Sequence, residues 1–329
     1  MNPSLRRLFA AAIAVVALVA APLADTVAAP PPSDAPPNVT IAYQPGIGYA
    51  NLIVVKEQGT LEREFPNTHF EWKVLSSGSA IRDAMIADQV QIGSSSITPF
   101  LIAWDKGVDL RLITSLNEMN LWLVTRDPKV HSLADIKPGM QVGVPGVDSV
   151  QAIVLEKGAQ VQLGKPHALD GNVLAIAHPL GLQALETGQL ALHLSAPPFE
   201  FEEVQGGGHV VLRSYDLFGR STFNTAYATQ TFARQHPNFI ASFARAIADA
   251  TTLINQHPAD AATLLSKDAG GTPSAATFAG WITHADVVYD TTPHGCLAYA
   301  RFMQSIGLLS KAPASMREIE LPTLHGSGD

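Results

Sequence analysis

Short apolar runs alternate with amphipathic ones from Val39 onward, and this order constrains the fold more than any other feature of the chain. Val39–Tyr43 reads as a strand. Gln44–Gly48 is a loop broken by Pro45, Gly46 and Gly48, and Asn51–Gln58 is a helix stopped by Gly59. Phe70–Leu75 is a second strand, Ser76–Ser79 a turn and Ala80–Ala87 a helix. Val90–Gly93 is a third strand. Ser94–Thr98 follows as a loop, with Pro99 at the first position of a helix that runs to Asp105 before Gly107. Alternation of this kind predicts an α/β fold with parallel strands.

The order then recurs. Gln141–Val144 reads as a strand, Pro145–Ser149 as a loop, and the next helix ends at Leu155-Glu156-Lys157-Gly158, as the first ended at Val55-Lys56-Glu57-Gln58-Gly59. Val173–Ala177 is a strand, Pro179–Leu185 a helix and Gln189–Leu194 a strand. Ser195-Ala196-Pro197-Pro198-Phe199 then opens a helix much as Ser96-Ile97-Thr98-Pro99-Phe100 does. Two lobes of similar construction are expected. Open α/β sheets take their ligands at the C-terminal strand ends, where helix N-termini leave N–H groups unpaired and favour an anion.

The strand-to-helix loops are therefore the place to look for chemistry, and they are rich in hydroxyls and glycine. The candidates for ligand contact are Ser77, Gly78 and Ser79 in one loop, Ser95 and Ser96 in the next, and Gln44 and Tyr49 around the first. Each serine also has a plain structural role as an N-cap, worth about 1 kcal/mol; Ser77, Ser79 and Thr98 are candidates for it, and Asp148 is expected to cap its own helix. Arg82 is the nearest cation, but it stands one turn into a helix and is expected to face solvent. Tyr49, Trp104, Trp122 and Phe199 are the aromatics that could offer a stacking face, against their commoner place in a core.

Outside the alternating part, Arg6 and Arg7 precede an almost wholly apolar run from Leu8 to Ala24, followed by the small residues Val27, Ala28 and Ala29. That is the order of a cleaved secretory signal peptide, 1–29, and it implies a periplasmic location. No cysteine stands near it to take a lipid. Residues 30–37, rich in Pro and Ala, read as a tether. The formal charge is −8 and no Lys/Arg run exists, which argues against nucleic acid.

Enzyme signatures are absent. The chain has no G-x-S-x-G, no phosphate loop ending in Gly-Lys-Ser/Thr, no G-x-G-x-x-G after a strand, and no H-E-x-x-H among its 11 His. His178 is expected to start a helix and His193 to be a satisfied core group. Cys296, with His294 two residues away, is the one conceivable nucleophile, and a buried structural thiol is the expected alternative. No cofactor, metal or catalytic residue is expected.

Ser77-Gly78-Ser79 through Met85, Ala87–Gly93, Ser132-Leu133-Ala134-Asp135-Ile136-Lys137, and Phe232-Ala233-Arg234-Gln235-His236-Pro237 ahead of an Ala-rich helix resemble a known family in sequence and order. The family is that of the nitrate/taurine/sulfonate periplasmic substrate-binding proteins of ABC importers, which also includes pyrimidine-precursor binders. The resemblance runs from Val39 to about Leu309. It implies the two-lobe periplasmic binding protein fold (type II): α/β, each lobe a mostly parallel sheet flanked by helices, with a two-strand hinge. It places the crossings near Leu121–Thr125 and Phe223–Ala228. The implied order is 38–124 for the first lobe, 125–224 for the second, 225–312 returning to the first, and 313–329 as a tail rich in breakers and partly disordered. It implies capture of a small polar or anionic molecule by closure, with the importer's membrane subunits as partners and the protein itself a monomer. Taurine or an alkanesulfonate comes first by family frequency. Aminopyrimidine, nitrate and aromatic acids are alternatives, and a Cys-dependent enzyme on the same fold is a further one. Gln44, Ser77 to Ser79, Ser95, Ser96 and Ser149 carry over as site residues, with Pro197 and Phe199 lining the second lobe. The chain departs from the family at Gln91 and Ala191, where Asp is frequent.

Overall fold

The computed structural model describes residues 35–322. The expected signal peptide and most of the tether lie outside the described residues, as does the end of the tail. No helix among the described residues is long and apolar enough to cross a membrane.

Among the described residues, eleven strands form two sheets. In chain order they are β1 (Asn38–Tyr43), β2 (His69–Val74), β3 (Ile92–Ser96), β4 (Leu110–Met119), β5 (Trp122–Thr125), β6 (Val142–Val144), β7 (Val173–Ala175), β8 (Leu192–Leu194), β9 (His209–Arg213), β10 (Thr222–Thr229) and β11 (Val287–Val288). The first sheet has the order β2-β1-β3-β10-β4-β11 and the second β7-β6-β8-β5-β9. The repeat expected from sequence is visible in these orders. β1 pairs in parallel with β2 and β3, and β6 does the same with β7 and β8. In each sheet a further strand then inserts antiparallel. β10 lies between β3 and β4, and β5 lies between β8 and β9. Parallel pairing thus holds for three strands of each sheet, and the rest is antiparallel, because the chain reverses direction at each passage between sheets.

Those passages are Asn120–Leu121 and the segment from Ser214 to Ser221. They are bonded to each other. Ser214 donates its N–H to Leu121 O at 2.9 Å while Leu121 N–H donates to Ser214 Oγ at 2.8 Å, and Tyr215 N–H donates to Asn120 Oδ1 at 3.1 Å. The strands Trp122–Thr125 and Thr222–Thr229, where the resemblance located the crossings, each belong wholly to one sheet.

The helix Ala50–Gln58 ends as its sequence requires, at Gly59 with φ +61°. The helix Pro237–Gln256 buries Phe239, Ile240, Phe243, Ala246, Ile247, Ala250 and Ile254, a spacing of three and four that makes one apolar face, and it packs on Ala50–Gln58 and β4. The helix Cys296–Ser305 touches both Ile97–Asp105, which follows β3, and Val150–Leu163, which follows β6.

Several local expectations need correction. Ser94, Ser95 and Ser96 are not loop but the end of β3, because Ser94, Ser95 and Ser96 face Ala226, Thr225 and Asn224 of β10 and so gain ladder partners. Pro99 is the third residue of its helix Ile97–Asp105, still within the first turn, where its missing N–H costs nothing. The helix after β6 runs through Gly158 to Leu163, with Gly164 as its C-cap. Gly158 is there for closeness, since a Cβ would stand 3.0 Å from both Leu133 and Leu212. Residues 313–322 are packed, not loose. Met316, Ile319 and Leu321 are buried, and Leu112 exchanges backbone hydrogen bonds with Ile319 and Leu321.

Gly93 on β3 marks the tightest packing of the first sheet. A Cβ there would lie 2.7 Å from the Tyr227 ring and closer still to the Met85 sulfur. Gly93→Ala is expected to lower stability by about 1–3 kcal/mol through overpacking. Urea unfolding of the two proteins checks it; equal midpoints would show that the helix carrying Met85 can move away.

Candidate functional site

A narrow cleft between the two sheets has a volume of about 20 Å³. Its walls are the starts of helices. Tyr49 is the N-cap of Ala50–Gln58, Gly78 the first residue of Gly78–Ile86 and Ser96 the N-cap of Ile97–Asp105. On the facing side, Ser149 is the N-cap of Val150–Leu163 and His178 the first residue of His178–Glu186. Five helices thus direct their N-terminal ends at one small volume. Among the described residues, no Asp, Glu, Lys or Arg lines it. Its electrostatic character comes from backbone N–H groups and helix dipoles, which favour negative charge.

Six of the ten residues expected to touch a ligand line this cleft: Gln44, Tyr49, Gly78, Ser96, Ser149 and Pro197. The Gln44 amide donates to the Tyr49 phenol oxygen, and the Tyr49 hydroxyl donates to Asn224 Oδ1 at 3.3 Å. Burial raises the Tyr49 phenol well above its ordinary range, so it is a fixed neutral donor. Below it, Gly48 O accepts from Asn117 Nδ2 at 2.5 Å and from Asn224 Nδ2 at 3.3 Å, which holds the Gln44–Tyr49 loop against β4 and β10. Ser96 makes no side-chain cap bond to its own helix. Ser149 does cap, accepting from Ala152 N–H at 3.3 Å. Gly78 is required by space, since a Cβ would stand 2.8 Å from Pro99 and 3.0 Å from Ser95.

The other four lie off the cleft. Ser77 caps its helix, accepting from Ala80 N–H at 3.1 Å. Ser79 donates to Asp148. The Ser95 hydroxyl is fully buried against the Tyr227 phenol at 2.8 Å. Phe199 stacks on the His178 ring, with centroids 5.6 Å apart, and lines a neighbouring cavity of about 330 Å³ that is mostly apolar and shares Gln44 and Pro45 with the cleft. Of the other aromatics, Trp104 lies under Lys311 and Trp122 against Phe201; neither reaches the cleft.

Asp148 and Arg82 reverse their expected roles. Asp148 does not cap its helix; Ser149 does. Instead Asp148 Oδ2 accepts from Arg82 Nη1 at 2.6 Å, Asp148 Oδ1 accepts from Ser79, and Asp148 O accepts from Thr98 Oγ1 at 2.8 Å. Arg82 is 18% exposed, not solvent-facing, and its charge is neutralised across the gap between the sheets.

Residues the sequence reading missed are Gly48, Gln151, His178, Ala196 and Phe223, with Pro45 and Pro145 at the rim. His178 matters most, because it begins a chain of buried polar contacts. His178 Nε2 is 3.2 Å from Gln151 Nε2, His178 Nδ1 is 3.3 Å from His193 Nε2, and His193 Nδ1 is 2.5 Å from Glu203 Oε1. Ser195 Oγ donates to Glu203 Oε2 at 3.2 Å. Burial lowers both imidazoles, His193 to about 3, and raises the Glu203 carboxyl to about 9 against the weaker pull of Ser195. The signal for His178 was the repeat itself: it starts the helix after β7, as Gly78 starts the helix after β2.

Cys296 is fully buried, and its sulfur meets His294 at the carbonyl oxygen, 3.9 Å away. The His294 imidazole lies instead near Asp290 and Glu118. Neither residue lines the cleft.

The Arg82–Asp148 pair joins groups that are both mostly out of water, so removing one strands the other. A double-mutant cycle with Arg82→Met and Asp148→Asn is expected to give a coupling energy of about 1–3 kcal/mol by chemical unfolding. Additive effects would reduce the pair to a contact without energetic weight.

The model of the NMT1-like family matches residues 33–266. The taurine-binding periplasmic protein of Escherichia coli (strain K12) is 23% identical over 215 residues, and the match spans 65% of that protein's length and 65% of this chain. Among solved structures, the periplasmic aliphatic sulphonate-binding protein of Escherichia coli superposes with a TM-score of 0.66 at 19% identity, covering 88% of this chain and 99% of the other. The nitrate-binding protein of Synechocystis PCC 6803 gives 0.68 at 15% identity, covering 86% and 84%. The chain belongs to the NMT1-like family and has the two-lobe fold of the periplasmic binding proteins.

Proposed function

We propose that the chain is a periplasmic solute-binding protein of an ABC importer, monomeric and not an enzyme, that captures a small anion or zwitterion between its lobes. The observation that supports this most is the convergence of five helix N-termini on a cleft that no charged side chain lines. Such a site suits one compact negative group, held by N–H donors, hydroxyls and dipoles. A sulfonate has that character. The neighbouring apolar cavity, which opens beside Gln44 and Pro45, gives an attached carbon chain a place to lie. Taurine or an alkanesulfonate is therefore the leading ligand class. The relatives known as taurine- and sulphonate-binding proteins point the same way.

Closure supplies the mechanism. An open form exposes both rows of helix N-termini, a bound anion bridges them, and its preference for the closed form shifts the population. The closed shape is then what the importer's membrane subunits receive.

A thermal-shift screen of the chain from Ala29 onward, with sulfonates, nitrate, aromatic carboxylates and pyrimidines, tests the reading. A ligand at a hundred times its Kd stabilises by about 2.7 kcal/mol, and the compound should be recovered unchanged. No shift from any anion would sink the proposal, and turnover would move attention to an enzymatic role. Ser96→Ala is expected to weaken binding about fivefold, the worth of one hydrogen bond near 1 kcal/mol. Ser77→Ala should instead cost about 1 kcal/mol of stability as a lost cap and leave affinity alone. Titration calorimetry separates the two effects.

A further inference from the structure

The contacts from the cleft to Glu203 form an unbroken path. His178 lines the cleft and is 7% exposed; His193 and Glu203 behind it are sealed from solvent. The path is sterically enforced. The His193 ring occupies the space where Gly181 would carry a side chain, and Phe199 stacks on the face of His178. Every heavy atom along it is a group that can either donate or accept, so the direction of each hydrogen bond is set by the next.

Two proton arrangements satisfy the whole path. With Glu203 ionised, His193 Nδ1–H donates to the carboxylate and His178 Nδ1–H donates to His193 Nε2. His178 Nε2 is then a bare lone pair, accepting from the Gln151 amide. With one proton added, Glu203 O–H donates to His193 Nδ1 and His193 Nε2–H donates to His178 Nδ1. His178 Nε2–H then points outward as a donor, and the Gln151 amide turns to accept from it or yields to a ligand. The change is balanced by one proton. It enters at His178 Nε2, the Nδ1 proton of His178 moves to His193 Nε2, and the Nδ1 proton of His193 moves to Glu203.

We propose that Glu203, His193 and His178 are a proton relay that sets whether this wall of the cleft donates or accepts, so that capturing an anion requires one proton held on Glu203. The inference rests on the anion-binding reading above. His178 is the residue that touches ligand; His193 and Glu203 are positioning residues acting through it.

The surroundings favour the protonated relay at neutral pH. Burial raises Glu203, the Glu186 charge from the end of the neighbouring helix adds to the rise, and the Ser195 hydroxyl opposes it, leaving a carboxyl at about 9. Glu200 and Glu202 stand on the same helix as Glu203. Glu200 is also raised, by its own burial, with Arg213 of β9 opposing and Glu203 and Asp286 adding to the rise. Glu202 is raised by burial and by the Glu186 and Glu203 charges. No cation among these groups touches the relay. Because the folded carboxyl lies above the value near 4.5 of an ordinary Glu, folding is favoured by this group below that value. The contribution is lost as pH rises toward about 9. Anion affinity has the same sign: complete below about 9, and falling above it as the donor becomes an acceptor.

The test has one arm without ligand and one with it. In the first, histidine ¹⁵N NMR follows His178, with signals assigned through His178→Gln. Nε2 should carry a proton at neutral pH and lose it in a transition near pH 9. Glu203→Gln should abolish that transition. Ser195→Ala, which removes a donor to the carboxylate, should move it upward, and this milder variant serves if the first folds poorly. A His178 signal that ignores both variants would overturn the relay. In the second arm, ethanesulfonate and nitrate, monoanions at every pH used, are titrated by calorimetry in two non-sulfonate buffers of different ionisation enthalpy. Affinity should be level to about pH 9 with no net proton uptake, and above it fall about tenfold per unit with uptake of one proton per anion. Binding that ignores pH across the NMR transition overturns the coupling while leaving the proposed function standing. No binding by either anion, with the NMR transition intact, sinks the anion reading and the coupling with it.

Discussion

Parallel pairing of three strands in each sheet is the constraint from which the rest of this molecule follows. A parallel strand must be reached by a crossover, and the crossovers here are helices. The first helix of each crossover starts at the same edge of its sheet, the edge where the strands end. Two sheets built this way, with those edges facing, put helix N-termini opposite helix N-termini. The field in the gap is then a property of the backbone, and side chains adjust only shape and local donors. This is why the cleft can lack any formal charge in its lining and still be suited to an anion.

The antiparallel strands do a different job. β10 inserts beside β3 and β5 beside β8, so each sheet contains one strand that the chain delivers after a visit to the other. Asn224 shows the consequence. It lies on the inserted strand β10, yet its amide contacts both Tyr49 and Gly48 and so shapes the cleft wall. The passages between sheets are short and bonded to each other, so the lobes share a compact connection instead of a loose linker.

Much of this was legible in the sequence, for identifiable reasons. The first strand, its loop and the helix stopped by Gly59 carry strong local punctuation, and the structure reproduces them within a residue or so. The serine run after Ile92 was misread because small polar residues signal a loop, whereas pairing with β10, a strand more than a hundred residues away, makes it sheet. The different placements of the serines before helices share one cause. Ser77 and Ser96 both stand before a helix, and only the direction of approach of the second sheet decides which one faces the cleft. Arg82 looked solvent-facing because its partner, Asp148, comes from the other lobe. Glu203 was invisible among the glutamates of Phe-Glu-Phe-Glu-Glu, where a rotation of the helix decides which of them is sealed against His193.

The contacts of Asp148 have a bearing on timing. One loop of the second lobe holds Arg82, Ser79 and Thr98 of the first, and it does so through groups that are part of the chain. On the closure mechanism proposed above, such a clasp lowers the energy of the shut form whether the cleft is full or empty. A fuller clasp lengthens the residence of a trapped molecule, because escape must first break these bonds. It also raises the share of empty molecules that are shut, and on the proposed function those would compete with loaded ones for the importer. The strength of one carboxylate's grip would thereby set a compromise between holding cargo and obstructing delivery, at a point well away from the cargo itself.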